Sequence, residues 1–313
     1  MRAAVVVALL IACAGCTKKE PRGPGRVVTL DTDVAGLSGL TLDEHGAFWA
    51  PGEDGAAVVR IDPETFGITR YAVAGGSPST DLEAMAWVDG TRFMLGTETQ
   101  ERGRLRDVVL DGRLDVDRFA VTPVGHLDYA RWHLAAPDNR GIEGICHVDG
   151  VLVLATELVE RQRGRRWAPV GMFDPKTQTW TAHRVGLTSK TGKLAAIDCR
   201  TAGGTIEVLA VERHYGVSRL LRFKIAQGPE GQWIEPTVAA DLSESISPLP
   251  NFEGLAWMKD GSAALVTDKG ADDIVAVAFP KLRHRIGLSY KAEAQGITSE
   301  TIIEKLLKTV KKP

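Results

Sequence analysis

Acidic side chains recur at matched places along this 313-residue chain, and grouped carboxylates are the ligands that a hard cation takes. Three of them stand second in short apolar–acid–small–apolar boxes, and these are Glu83, Glu143 and Glu253. Five more close an apolar run further along, and these are Glu53, Glu98, Glu157, Glu212 and Asp268. The step from box acid to closing acid is 15 residues for Glu83 and Glu253 and 14 residues for Glu143. This near-constant step predicts that one repeated element positions all eight acids, and it makes Ca²⁺ a candidate cofactor.

The repeated element is an apolar run, a tight turn and a second apolar run. Five segments share it, and they begin at Leu37, Leu82, Ile142, Leu194 and Phe252. The turns carry His-Gly, Asp-Gly or Gly-Gly, and two-residue hairpin turns favour such residues because their backbone needs positive φ. In the first and fourth segments, Ser38 and Ala195 stand where the other three have the box acid. Each segment is therefore predicted to be a β-hairpin that carries these positions at its open end.

A third and a fourth strand follow most of the hairpins. The turn signals between them are Asp62-Pro63, Asp111-Gly112, Asp174-Pro175 and Gly228-Pro229. Four short strands per unit, repeated every 45 to 60 residues, are typical of a β-propeller. We therefore predict an all-β propeller of five four-stranded blades over residues 27–281. Six blades are the alternative, with the extra one in residues 124–139 or after Arg283, whereas a β-sandwich would not explain the register of the repeats.

The fifth unit has only three clear strands, and the third of them ends near Pro280. Its fourth strand can come from Val27–Asp31, close to the N-terminus. Closing the ring with an N-terminal strand also removes an exposed sheet edge.

Propeller geometry predicts where the acids meet. Neighbouring strands in a blade are antiparallel, and the first strand of each blade lines the central axis. The start of the first strand and the end of the second therefore lie on one face, so all eight acids should surround one mouth of the channel. Carboxylates this close cannot all stay ionised without a counter-charge, which a bound cation would supply. The alternative is structural, since a Glu at this position could accept hydrogen bonds from backbone N–H groups of the next blade.

Positive side chains follow the second strands on the same predicted face. The candidate substrate-binding residues are Arg161, Arg163, Arg213, His214 and Lys269. Arg102 and Arg104 lie in an equivalent loop. Arginines around a metal-bearing mouth would suit an anionic ligand such as a phosphate ester, although solvated loops also carry arginine. The motifs of serine hydrolases, zinc peptidases and P-loop enzymes are absent from the sequence.

The N-terminus has the pattern of an exported lipoprotein. The apolar run from Ala3 to Ala12 is too short to span a bilayer and suits a signal segment. It ends in Cys13-Ala14-Gly15-Cys16, which predicts lipidation at Cys16, with Cys13 as the alternative and an unmodified signal peptide as the other possibility. Residues 1–15 are then the signal peptide and residues 16–26 a tether. The predicted location is extracytoplasmic and membrane-anchored.

The C-terminal tail and the two remaining cysteines leave alternatives open. Residues 282–313 should contain an amphipathic helix that begins near Ser299, either packed on the propeller or lying on a membrane surface. Cys146 and Cys199 could form a disulfide in an exported protein, or each could be a small apolar residue within a strand.

Composition excludes several classes of protein. The chain is 44% hydrophobic and 25% charged, with a net charge of −2, so it is neither disordered nor a general nucleic-acid binder. Its 33 glycines suit a fold with many turns.

Three boxes resemble the "esterase-like activity of phytase" family and the related SdiA-regulated propellers. They are DLEAMAWVDGTRFMLGTETQERGR, NRGIEGICHVDGVLVLATE and NFEGLAWMKDGSAALVTDKG, and the resemblance covers roughly residues 27–280. It implies an exported β-propeller that binds Ca²⁺ and hydrolyses phosphate esters, with Glu83, Glu143 and Glu253 as the box acids and Asp268 as a closing acid. Ala84 replaces the box glycine in one blade.

Three functions are compatible with these patterns. The first is a metal-dependent phosphoesterase of the phytase-like kind. The second is a non-catalytic module that binds an extracytoplasmic protein or glycan. The third is a Ca²⁺-dependent hydrolase of the lactonase kind.

Overall fold

The computed structural model describes residues 3–10, 27–34, 36–53, 56–75, 80–99, 106–135, 140–214, 216–226, 230–244, 246 and 250–267. No helix within these ranges is long and apolar enough to cross a membrane. Several predicted features lie outside the described residues, namely Cys13, Cys16, Asp268, Lys269, the strand ending near Pro280 and the C-terminal helix.

The fold is all-β and of the propeller type, as the repeats predict. The strands in chain order are β1 (Ala3–Leu10), β2 (Val27–Thr32), β3 (Thr41–Leu42), β4 (Phe48–Pro51), β5 (Ala57–Ile61), β6 (Ile68–Ala74), β7 (Thr80–Asp89), β8 (Arg92–Thr99), β9 (Arg106–Asp115), β10 (Arg118–Asp128), β11 (Ile142–Val148), β12 (Val151–Thr156), β13 (Glu160–Gln162), β14 (Arg165–Asp174), β15 (Thr179–Gly186), β16 (Lys193–Ala202), β17 (Thr205–His214), β18 (Val217–Ile225), β19 (Trp233–Ile234), β20 (Thr237–Asp241), β21 (Phe252–Trp257) and β22 (Ala263–Thr267). Two short 3-10 helices accompany them, Tyr129–Trp132 and Leu242–Glu244.

The predicted hairpins are present, and their inner strands surround one axis. Among the described residues, β3 contacts β7, β7 contacts β11, β11 contacts β16, β16 contacts β21 and β21 contacts β3. We number the blades one to five after these inner strands. The first-turn glycines have the expected positive φ, 81° at Gly46 and Gly150 and 85° at Gly261. The turn at Gly150 has the predicted two residues, whereas those at Gly46 and Gly261 have three, because Asp43 pairs with Ala47 and Met258 with Ser262. The total of five blades stays a prediction, because the chain after residue 267 lies outside the described ranges.

Outer strands join some blades into larger sheets. Strands β6 and β10 pair in parallel, so the first and second blades form one eight-stranded sheet. Strand β19 comes from the fourth unit but pairs in parallel with β15 of the third blade. These pairings satisfy backbone groups that would otherwise form free edges.

One predicted turn is wrong. Asp111-Gly112 was expected to separate the third and fourth strands of the second blade, but β9 runs straight through it and the turn follows Asp115. Gly112 is required for packing instead, because a Cβ there would lie 2.3 Å from Phe119 Cε1 and 2.6 Å from Leu95 Cδ1.

The closing sheet contains the predicted N-terminal strand. Its order is β2-β1-β22-β21, so β2 shares a sheet with the last hairpin, as expected of a strand that completes the ring. The third position is taken by β1, which pairs with both β2 and β22. The sequence assigned that position to the strand near Pro280 and assigned residues 1–15 to a signal peptide, and both assignments stay predictions.

Apolar cores lie between neighbouring blades. Trp49, Phe93 and Phe119, for example, pack between the first two blades, with ring centroids 4.9 and 5.4 Å apart along the series. Each blade is thus held by burial against both of its neighbours.

A recurring joint also links inner strands of neighbouring blades. Residues are counted here from the box position of each blade, which is Ser38, Glu83, Glu143, Ala195 or Glu253. The third residue after the box position of one blade meets the fourth residue after the box position of the following blade. Trp87 N donates to Thr41 Oγ1 at 3.0 Å in the first joint, and Trp257 N donates to Asp198 Oδ2 at 2.6 Å in the fourth. The third joint is covalent, since Cys146 and Cys199 form a disulfide. Of the two alternatives for these cysteines, pairing is the one that the structure shows.

Candidate functional site

β-Bulges position the box acids at one end of the axis. The pairing of β7 with β8 shifts between Leu82 and Ala84, so Glu83 is the extra residue of the bulge. The same shift leaves Glu143 unpaired in β11 and Glu253 unpaired in β21. A bulge releases its extra residue from the ladder and turns the side chain away from the regular alternation. In the fourth blade Ala195 occupies the identical bulge.

The small residue after each box acid lets the inner strands meet. A Cβ on Gly144 would lie 2.8 Å from Ile197 N, and one on Gly254 would lie 2.5 Å from the carbonyl carbon of Gly39. The space on the axis bounded by Gly39, Ala84, Gly144 and Leu255 is too small for a water molecule. The predicted channel is therefore closed at this level, and the site is a mouth above a closed axis.

Two of the box acids have raised pKa values in the metal-free protein, and burial is the main cause. Burial raises the pKa of Glu83 to about 8, against a hydrogen bond of 2.6 Å from Ser38 Oγ that lowers it, and Glu53, Glu98 and Glu253 raise it further. Burial also raises the pKa of Glu143 well above its ordinary value, and the carboxylates of Glu83, Glu253 and Glu98 add to this effect. These mutual effects show that the structure brings together acids from at least three blades.

Two other predicted ligands have cationic partners. Arg213 Nη2 donates to Glu253 Oε1, which also accepts from Asn251 Nδ2. Lys193 Nζ forms an ion pair with Glu157 Oε1. Each pair neutralises one carboxylate of the mouth while keeping it in place.

The closing acids Glu98 and Glu212 accept hydrogen bonds from backbone N–H groups. Glu98 Oε2 accepts from Gly141 N of the third blade at 3.1 Å. The Glu212 carboxylate accepts from the backbone N–H groups of Thr188 and Ser189 at 3.1 and 3.0 Å and from both hydroxyls. The structural alternative, which the sequence suggested for the box acids, therefore applies to these two closing acids.

The remaining candidate ligands are placed as follows. Glu53 lies beside Gly36, whose added Cβ would be 2.5 Å from Glu53 Oε2, and it acts on the pKa of Glu83. Asp268 lies outside the described ranges. No three His, Cys, Asp or Glu residues in the described part of the chain are arranged to hold a metal ion as they stand.

Positive groups occupy the fourth-blade side of the mouth. Lys193 and Arg213 face each other in the register of β16 and β17. Burial lowers the pKa of His214, and Lys193, Arg213 and Arg166 lower it further. Burial likewise lowers the pKa of Lys193, with Arg213 adding to the effect and Glu143 opposing it. The mouth thus has an acidic half on the first three blades and a cationic half on the fourth.

The other predicted substrate-binding residues lie further out. Arg161 and Arg163 are exposed on the β13–β14 hairpin, whose turn has positive φ at Arg163 and Gly164. Arg161 lines a groove of about 510 Å³ together with Arg166, Lys190 and Trp233. Arg213 and His214 therefore belong to the mouth and Arg161 to a neighbouring groove, while Lys269 lies outside the described residues.

Sequence reasoning missed Lys193, the contacts of Arg166 and the role of Ser38. Arg166 donates to the carbonyls of Ser189 and Gly192 at 2.7 Å each and so fixes the loop before β16. Lys193 could have been found from the pattern, because it stands two residues before Ala195 in the one box that lacks any oxygen-bearing side chain at the acid position.

One family profile matches most of this chain. The family profile described as "Phytase-like: Esterase-like activity of phytase" matches residues 32–269. No curated protein matches the chain.

Solved structures with a similar chain path are propeller-type proteins. Virginiamycin B lyase from Staphylococcus aureus is 14% identical, with 78% of this chain and 70% of that chain covered and a TM-score of 0.37. Aldose sugar dehydrogenase from Streptomyces coelicolor, in its PQQ-bound form, is 12% identical over 79% and 99% of the two chains, with a TM-score of 0.43. A thermostable family-43 glycoside hydrolase is 9% identical over 75% and 89%, with a TM-score of 0.46.

Proposed function

This chain belongs to the phytase-like family described as esterase-like activity of phytase, and we propose from that premise that it is a Ca²⁺-dependent hydrolase of an anionic ester. The proposed site is the mouth of the propeller. Its acidic half binds the cation and its cationic half binds the anionic group of the ester.

One observation carries the proposal. Glu143 is buried and Glu83 is partly buried, and burial and neighbouring carboxylates raise the pKa of both, although a fold gains nothing from bringing like-charged groups together. Among the described residues no lysine or arginine forms an ion pair with either of them, whereas Glu253 and Glu157 each have one. A divalent cation would displace the protons and relieve the repulsion.

The residues present fit a hard cation by their chemistry. The donors are carboxylate oxygens of Glu83 and Glu143, the hydroxyl of Ser38, and the nearby carboxylates of Glu53 and Glu98. Ca²⁺ takes oxygen ligands in flexible geometry, so small side-chain movements can complete its shell. Bound there, it would supply positive charge to polarise the ester oxygen.

The chain's own cations would orient the substrate. Arg213, fixed by Glu253, and Lys193, fixed by Glu157, lie at the edge of the acidic half. His214 stands next to Arg213, and burial and the neighbouring cations lower its pKa, which favours the neutral imidazole that a general base requires. Arg161, Arg163 and Lys269 are proposed to extend this positive rim to longer anionic ligands.

Calorimetry tests the cation site. Titration of chelator-treated protein with Ca²⁺ at pH 8 is expected to show saturable binding with release of protons. The Glu83→Gln/Glu143→Gln variant should lose at least 100-fold in affinity, because it removes both charges. Glu44→Gln is the matched control, since Glu44 lies in the β3–β4 turn at the other end of the blade.

The outcome also separates the alternative functions. Absence of Ca²⁺ binding would contradict the proposal and leave the non-catalytic module. If Ca²⁺ binds, phosphate monoesters and lactones are assayed next, and hydrolysis of lactones alone would favour the lactonase kind of enzyme.

We further propose that the protein acts outside the cytoplasm on a lipid anchor at Cys16. The Cys146–Cys199 disulfide supports this location, because disulfides persist in oxidising compartments. Labelled palmitate is expected to enter the wild-type protein and not the Cys16→Ser variant. Labelling that is lost in Cys13→Ser but kept in Cys16→Ser would move the anchor to Cys13.

A further inference from the structure

A groove lies on the outer wall of the propeller, between the fourth strands of the second and third blades. It has a volume of about 490 Å³, which is within the range of small-molecule sites. It is lined by residues of β10, of the 3-10 helix after β10, and of β15 with the turn before it. None of the predicted ligands or substrate-binding residues in the described part of the chain lines this groove, so it is separate from the mouth.

Trp180 supplies the apolar surface of the groove. Its ring stacks on the buried Phe173, with centroids 4.5 Å apart and an angle of 18° between the planes. A Cβ on Gly171 would lie 3.2 Å from Trp180 Cζ3, so the ring also rests against bare backbone. The core therefore fixes the indole, which is half-buried and lines the groove with its remaining surface. A ligand that stacks there would not have to order this side chain, which lowers the entropic cost of binding.

Two local departures from regular structure shape the groove. The pairing of β10 with β9 shifts between Pro123 and Gly125, so Val124 is the extra residue of a bulge. Gln178, in the turn before β15, has a φ of 58°, which is strained for a residue with a side chain. Its Nε2 donates to Pro175 O at 2.9 Å and lies 3.5 Å from Val124 O of the second blade. Backbone strain of this kind persists where the surrounding structure requires it, and it is often found at ligand sites.

Donors and acceptors that line the groove are unused by the described residues. Within those residues, the Arg131 guanidinium makes no hydrogen bond or ion pair, and it lies 5.8 Å from the Trp180 ring centroid. Asp128 Oδ1 accepts from the backbone of the 3-10 helix at 3.0 Å, while Asp128 Oδ2 accepts no such bond. The His126 imidazole and the Gln178 amide oxygen likewise have no partner in this part of the chain, and both residues are exposed.

This chemistry matches a neutral sugar. The face of an indole ring is electron-rich and attracts the weakly positive C–H groups on one face of a sugar ring. Sugar hydroxyls both donate and accept hydrogen bonds, so they need acceptors such as Asp128 and donors such as Arg131 beside the aromatic ring. The charges of these two residues cancel, which favours a ligand without net charge over an anionic one.

We propose that this groove is a binding subsite for a neutral saccharide, with one sugar ring stacked on Trp180 and its hydroxyls bonded by Arg131, Asp128 and Gln178. The inference goes beyond the proposed function, since the groove shares no residue with the mouth. A sugar bound on the outer wall leaves the mouth open, so both sites can be filled together.

The test screens the full chain against immobilised short oligosaccharides. The neutral members are built from glucose, galactose, mannose or N-acetylglucosamine, and the acidic members are built from uronic acids. The wild-type protein is expected to bind a neutral oligosaccharide, and titration calorimetry with that sugar then gives the dissociation constant. Absence of binding to every neutral member would overturn the proposal, as would binding to the acidic members alone.

Substitutions assign the binding to the groove. Trp180→Ala should weaken it at least tenfold, because the stacking surface is lost. Arg131→Ala should weaken it about fivefold, as loss of one hydrogen bond predicts. Arg118→Ala is the matched control, since Arg118 is exposed at the other end of β10. Equal affinity of the wild type and both groove variants would place the sugar elsewhere and contradict the proposal.

Arg131→Ala also covers the case in which Trp180→Ala prevents folding. Arg131 is exposed and makes no hydrogen bond to the described residues, so its replacement should leave the unfolding temperature unchanged. Wild-type sugar affinity in that variant would then overturn the subsite.

Separate titrations distinguish this inference from the proposed function. Sugar binding is expected to be equal in chelator and in Ca²⁺, and equal in the wild type and the Glu83→Gln/Glu143→Gln variant. Sugar binding without any Ca²⁺ binding would keep this subsite and remove the cation site, and Ca²⁺ binding without sugar binding would do the reverse. Sugar binding that requires Ca²⁺ would contradict a site in this groove.

Discussion

Replacing Cys146 and Cys199 together with alanine is expected to lower the free energy of unfolding by about 4 kcal/mol. The disulfide closes a loop of 53 residues, and the chain-entropy model gives about this cost when such a loop is opened. It also joins β11 to β16, which are the inner strands that carry Glu143 and Ala195. For a propeller of this size the loss corresponds to a fall of roughly 10 °C in the unfolding temperature.

Denaturant unfolding of the wild type and the double variant measures this effect. A reducing agent provides the matched control, since it should destabilise the wild type by a similar amount and leave the variant unchanged. A difference below about 1 kcal/mol would mean that packing between the third and fourth blades suffices without the covalent bond.

The second large effect is on the pH dependence of stability in the metal-free protein. The pKa of Glu83 is raised to about 8 and that of Asp198 to about 7, mainly by burial, and that of Glu143 is raised as well. Above a pH of about 4.5 the unfolded chain releases these protons while the folded chain keeps them. The contribution of these three groups to stability is therefore lost as the pH rises from about 4.5 to 8. Carboxylates with lowered pKa values, such as Glu207 and Asp241, act with the opposite sign and only at more acidic pH.

Glu143→Gln should remove one of these groups and reduce the repulsion felt by Glu83. We expect this variant to be more stable than the wild type at pH 8 by at least about 1 kcal/mol, and to show a flatter dependence on pH. Unfolding at pH 5 and pH 8 in a chelating buffer measures both quantities. Glu44→Gln, with the same chemical change away from the mouth, should behave as the wild type.

A wild-type protein that gains stability between pH 5 and pH 8 in chelator would contradict this prediction. Added Ca²⁺ at pH 8 should restore stability to the wild type but not to Glu143→Gln, because the cation replaces the protons only where the carboxylates are present.

The repeats predicted the architecture because their signals are local. The tight turns at Gly46, Gly150 and Gly261 depend on backbone preference, and the structure confirms their positive φ. Asp111-Gly112 carries the same signal but lies within β9, because packing against Phe119 requires the glycine there. A glycine that forms a turn and a glycine that packing requires therefore cannot be told apart from the sequence.

The roles of the acids could be predicted only in part. Their common face follows from strand direction, and the mutual effects on Glu83 and Glu143 agree with it. The sequence could not show that Glu253 pairs with Arg213, or that Glu212 holds the loop at Thr188, because these contacts join different strands and depend on register. The bulges are equally invisible, since they require knowledge of the pairing partner.

The recurring joint between inner strands is a hydrogen bond or a disulfide at three of its positions and lacks such a bond at two. Hydrogen bonds to side chains form this joint between the first and second blades and between the fourth and fifth, and a disulfide forms it between the third and fourth. The matching positions at the other two joints include Ala86 and Ala256, whose methyl groups can form neither a hydrogen bond nor a covalent link. The joint therefore links blades three, four and five in series, and it links the first two blades to each other. Other bonds cross the two remaining interfaces, since Gly141 N donates to Glu98 Oε2 between the second and third blades and Gly39 N donates to the Glu253 carbonyl between the first and fifth. Within the described residues, no interface between neighbouring blades therefore depends on packing alone.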